Sequence, residues 1–146
     1  QSEKAIPSSD VIESIQKESP FQSATIVVED PNQSGLSSWN SIKVFADNKT
    51  RPIVISHYYA DDAINQIVND VLEDFSDSNQ VTSQLIQEIK ATKRILVVDI
   101  DPQKISQEAW DAVDCVEAYL AFAYSGLVYV AGEGLYNEGL ELICAV

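Results

Sequence analysis

The pair Asp99 and Asp101 closes a run of aliphatic residues, 95–100 (ILVVDI). Alternate positions of a strand point the same way, so both carboxylates would face one side at a sheet's carboxyl edge, where a divalent cation and a water can be held. His57 is the one histidine, and any imidazole acid–base chemistry must use it. It ends a β-rich run and is followed closely by Tyr58, Tyr59, Asp61 and Asp62, which puts a His–Asp pair within reach in sequence. The two cysteines, Cys115 and Cys144, have no CxxC spacing and no neighbouring base; each lies in an apolar segment and reads as a buried free thiol. No serine sits in GxSxG, and a single histidine forms neither HExxH nor a His-rich zinc site. Asp99, Asp101 and His57 are therefore the catalytic candidates, with Glu133 a third carboxylate for metal-assisted hydrolysis.

Residues 96–101 (LVVDID) resemble the first motif of haloacid-dehalogenase-type phosphatases, a hydrophobic strand ending in Asp-x-Asp. The resemblance stops there. Those enzymes continue with a small Gly/Thr-bearing turn and need a later lysine, whereas Pro102, Gln103 and Lys104 follow here and no lysine comes after. The plainer expectation is that Asp101 caps the next helix and Asp99 is exposed at a sheet edge. Residues 132–139 (GEGLYNEG) have Asn137 where a dinucleotide loop needs glycine, and two glutamates that would repel a pyrophosphate. They read as a flexible acidic loop presenting Tyr136, or as an ordinary glycine-rich hairpin turn. Asp77-Ser78-Asn79 opens like a calcium loop, but the later Gly and Glu are missing. No metal site and no cofactor is expected.

The charge layout says more than these fragments. The chain of 146 residues carries 9 Lys+Arg against 23 Asp+Glu, a net charge of -14. Beyond Lys104 no cation occurs, while Glu108, Asp111, Asp114, Glu117, Glu133, Glu138 and Glu141 all do. Nucleic acid and anionic membranes are thereby poor partners, because phosphate binding needs Lys and Arg to displace counterions. One basic island, Lys43, Lys49 and Arg51, stands in a hairpin. Residues 118–132 are uncharged but too few to cross a bilayer. Asn32-Gln33-Ser34 and Asn48-Lys49-Thr50 match the glycosylation pattern, which is too short to carry weight. The opening QSEKAIPSSD has no secretory apolar core; a cytoplasmic location is expected, or a secreted or periplasmic one if a signal peptide preceded Gln1.

The elements that position these residues follow from hydrophobic period. Residues 1–22 form an N-terminal extension or short helix stopped by Pro20, and 23–146 a single α+β domain. Residues 24–28 make a strand, 29–41 a loop anchored by Trp39, and 42–46 with 53–59 a hairpin. A helix from Asp61 to about Phe75 has its apolar positions at helical spacing, and a second spans about 80–91. Residues 95–100 read as a central strand covered on both faces, and a third helix over 106–124 leads to strands at 127–131 and 140–145. The fold class is α+β: one mixed five- or six-stranded sheet, helices mainly on one face, two hairpins and one βαβ crossover. Beyond Glu117 the third helix is apolar all round and is expected to be enclosed.

The functional expectation is a small acidic protein-binding domain, leaning away from an enzyme, that meets a basic protein surface through Glu108, Asp111, Asp114, Glu117, Glu133, Tyr136 and Glu138. In size and charge it resembles bacterial immunity proteins and nuclease inhibitors. The alternatives are the metal-assisted hydrolase on Asp99 and Asp101, and a structural or oligomer-forming module.

Overall fold

The computed structural model describes residues 5–30, 39–46, 51–101, 103 and 105–146. Both glycosylation patterns, Lys49 and much of the loop expected at 29–41 lie outside them. The fold is α+β, with four helices and two sheets of four and three strands. In chain order the elements are α1 (Ser8–Gln16), a 3-10 turn (Ser19–Phe21), β1 (Thr25–Glu29), β2 (Ser41–Phe45), β3 (Ile53–Tyr58), α2 (Asp61–Asp74), α3 (Ser83–Lys90), β4 (Ile95–Asp99), α4 (Gln107–Ala123), β5 (Val128–Val130), β6 (Gly134–Tyr136) and β7 (Leu142–Ala145). They fall into two compact units. One holds residues 4–57 and 96–119, the other 58–95 and 120–146.

The first unit is built on the four-stranded sheet, in the order β1-β2-β3-β4. β1 and β2 are antiparallel with Val27 opposite Lys43, and β2 pairs β3 antiparallel with Lys43 opposite Val54. The period of two then sorts the side chains: Ile42, Val44, Ile53, Ile55 and His57 are buried, while Lys43 is exposed. Trp39 is fully buried, and its indole Nε1 donates to the Ile6 carbonyl at 2.7 Å, tying the start of β2 to the segment before α1. α1 buries Val11 and Ile15, and Pro20 closes it through the 3-10 turn.

The second unit is cored by Ile64 and Val68 of α2, with Phe75, Ile89, Leu135 and Cys144. Its strands run β5-β6-β7, antiparallel throughout, with Leu135 between Tyr129 and Cys144. Gly134 has no room for a side chain, since a Cβ there would lie 2.2 Å from the Cys144 carbonyl oxygen. On the far side of β7, the Ala145 amide donates to Gln80 Oε1 at 2.9 Å and its carbonyl accepts from Ser78 Oγ at 3.5 Å. α3 starts on Thr82, whose hydroxyl accepts from the Leu85 amide at 3.1 Å. α4 ends at Ser125, φ 50°, with the Gly126 amide donating to the Ala121 carbonyl at 2.8 Å.

Four expectations are corrected. There is no single five- or six-stranded sheet and no βαβ crossover, because α4 leads from β4 in one sheet to β5 in the other. β4 is not central; it is an edge strand with Val97 and Asp99 exposed. The 132–139 segment is no open loop but contains β6, the middle strand of its sheet, too short between two turns to show an alternating pattern. The end of α4 is not enclosed: Tyr119 is 44% and Phe122 73% exposed.

Candidate functional site

α4 turns Ala109, Ala112, Val113 and Val116 inward, and that buried stripe forces the intervening residues outward. Ser106 starts the helix, its Oγ accepting from the Ala109 amide at 3.1 Å, in place of the cap expected from Asp101. Glu108, Asp111 and Asp114 are exposed, and Glu117 is half-buried one turn after Asp114. Asp111 takes a hydrogen bond from Gln107 Nε2 at 2.9 Å. Burial, with Asp114 adding its repulsion, pushes the Glu117 carboxyl up to about 7.

Cys115 lies among these acids and is exposed, contrary to the buried thiol expected, whereas Cys144 is buried; both are free. A hydrogen bond to Glu18 raises the Cys115 thiol above its ordinary value, reinforced by some burial and by the charges of Glu18, Asp114 and Asp111. That environment suppresses the thiolate and makes Cys115 a poor nucleophile. Glu18, from the turn after α1, thus joins the α4 acids from far away in sequence, and no local pattern around it could have shown this. Beside it, Lys17 places its ammonium 5.3 Å from the Tyr119 ring centroid, a cation–π contact at the end of the acidic stripe.

The other acidic residues singled out by sequence belong to the second unit and behave differently. Glu133 accepts from the Tyr136 hydroxyl at 2.9 Å, and this bond holds the Tyr136 phenol above its ordinary value. Tyr136 is a half-buried strand residue rather than the tip of a loop. Asn137 organises the turn that follows: its Oδ1 accepts from the Gly139 and Glu141 amides, each at 2.9 Å. Glu138 is exposed on that turn. Tyr129 also bonds a carboxylate, Asp74, and burial together with that bond pushes its phenol up to about 12.

The catalytic candidates do not assemble. Asp99 forms an exposed ion pair with Arg51, Nη2 to Oδ1 at 3.0 Å, which uses the one fully described cation of the hairpin loop. β4 ends at Asp99, so strand alternation does not carry to Asp101, whose Oδ1 instead accepts from the Gln103 amide at 3.1 Å. His57 is a core residue at 4% exposure, stacked on Trp39 with centroids 4.4 Å apart and Nδ1 3.0 Å from the Trp39 carbonyl. Glu133 lies in the other unit. Among the described residues no three His, Cys, Asp or Glu side chains converge on a metal position. A small cavity of about 120 Å³ opens in the first unit, walled by Phe21, Val44, Ile53 and Ala109 and reached by Arg51 and Asp101.

No protein-family model, curated protein or solved structure matches this chain. Among the described residues no helix is long and apolar enough to cross a membrane.

Proposed function

We propose that the α4 face is a docking surface for a basic protein partner, with Asp111, Asp114 and Glu117 at its centre, Glu18 beside them and Glu108 at the helix start. The observation behind this reading is the gathering of Glu18, Asp111 and Asp114 around Cys115, with Glu117 one turn further along the helix. Three carboxylates from two segments raise one thiol, and burial, with Asp114 adding its repulsion, lets a fourth carboxyl, Glu117, hold its proton to about 7. A lysine or arginine brought in by a partner would meet these carboxylates and offset the Asp114 repulsion, which favours the charged form of Glu117. Glu133, Tyr136 and Glu138 belong to the other unit, where Glu133 is held by a hydrogen bond within its own sheet, and they are left out of this surface.

A short oligolysine peptide is a suitable probe. Its titration should shift α4 amides around Asp111 to Glu117 first, with affinity falling about ten-fold between low and high salt. Asp111→Asn with Asp114→Asn should remove that preference. Shifts spread evenly over every acidic residue, unchanged in the double variant, would defeat the reading. An oligomer-forming module is the second reading, favoured by Phe122 at 73% exposure; a concentration-dependent dimer in sedimentation, lost in Phe122→Ser, would support it. The metal-assisted hydrolase draws no support from the placement of Asp99 and Asp101.

A further inference from the structure

The cavity of the first unit takes no part in the docking face, and its lining has a chemistry of its own. Phe21, Val44, Ile53, Ile100, Ile105 and Ala109 give it apolar walls. Among the described residues its two ionic groups are Arg51 and Asp101. The Arg51 side chain is 57% exposed and already neutralised by Asp99. Asp101 spends one oxygen on the Gln103 amide, and among the described residues its Oδ2 has no partner. Among the described residues Asp99, Arg51 and Asp101 together carry one net negative charge, which favours a cation over an anion here. Apolar walls with a few convergent polar groups, here Arg51, Asp101 and Ser106, are the usual form of a small-ligand site. A cavity of about 150 Å³ accommodates benzene, so this one, at about 120 Å³, suits a branched tail of about five carbons.

We propose that this cavity binds a small primary amine with a branched aliphatic tail, the tail against Phe21, Val44 and Ile53 and the ammonium on Asp101. It stands independently of the protein-docking reading, since none of its residues belongs to the α4 acidic face.

The test is a titration of the full chain with 3-methylbutylamine, followed by amide shifts at neutral pH. Saturable shifts are expected at Ile53, Ile100, Ile105 and Ala109, with an affinity of about millimolar. Asp101→Asn should weaken binding about ten-fold, and 3-methylbutanoate, the same tail on a carboxylate, should leave the amides unmoved. The proposal fails if the carboxylate binds as well as the amine, if Asp101→Asn changes nothing, or if shifts concentrate on α4 and methylamine reproduces them. Should Asp101→Asn not fold, the amine series from methyl to 3-methylbutyl decides: affinity must rise with the tail, and a flat series overturns the site.

Discussion

Two acidic regions of this chain contain similar residues in opposite states. On α4 and the turn after α1, Glu18, Asp111 and Asp114 surround one thiol and raise it, while burial, with Asp114 adding its repulsion, pushes the Glu117 carboxyl up to about 7. Around β6, Glu133 is matched by Tyr136, and Asn137 holds the Glu141 amide. The second region has turned its carboxylate and amide inward to its own sheet and turn; the first gathers several carboxylates at the surface around one thiol, with Asp111 bonded to Gln107 of its own helix. Counting charges does not distinguish these cases. What does is whether the carboxylates are dispersed among donors of their own sheet or gathered on one exposed face, where a cationic partner can meet several at once.

The largest effect that would sharpen this contrast is Gly134→Ala. The new Cβ would meet backbone at 2.2 Å and 3.0 Å at a residue whose φ is 149°, and a loss of about 3 kcal/mol or more is expected in urea unfolding. A well-folded variant of near-native stability would mean that the β6 region is not the rigid one. Next comes Glu117→Gln. Because the folded carboxyl is pushed up to about 7 from an ordinary 4.5, its protonated form is favoured in the native state. The associated stability is present below about 4.5 and is lost as pH rises through 7. Discounted for partial exposure, Glu117→Gln should stabilise the protein by about 1–2 kcal/mol at pH 8 and leave it nearly unchanged near pH 4.5. Equal effects at both pH values would remove the crowding from the comparison. The smallest effect is kinetic: Cys115 should alkylate more slowly than a free thiol at pH 8, and Glu18→Gln should speed it. An unchanged rate would take Glu18 out of the cluster.

Much of this was legible in advance, and the pattern of success has a physical basis. α2 is long and its apolar residues keep helical spacing from Ile64 to Phe75, so its span could be read almost to the residue. The β2–β3 hairpin showed through β-branched runs on either side of a polar turn. β6 did not show, because three residues between turns carry no period. The partition into two sheets was equally hidden, since a strand's sequence records how buried it is and not which strand it pairs with. Of the site, the acidic α4 stripe was readable from spacing alone. The roles of Arg51, Glu18 and His57 were not: the Asp99 pair, the Cys115 contact and the Trp39 stack each depend on residues brought together from well apart in the chain.

The last strand illustrates a separate demand. Leu142, Ile143 and Val146 are all exposed beside an outer strand edge, a combination that invites a neighbouring molecule to add a strand of its own. Gln80 and Ser78 occupy the amide and carbonyl of Ala145 on that edge, standing in for the missing strand. Two uncharged side chains therefore block part of this strand edge, and unlike repulsion between copies that block does not depend on ionic strength.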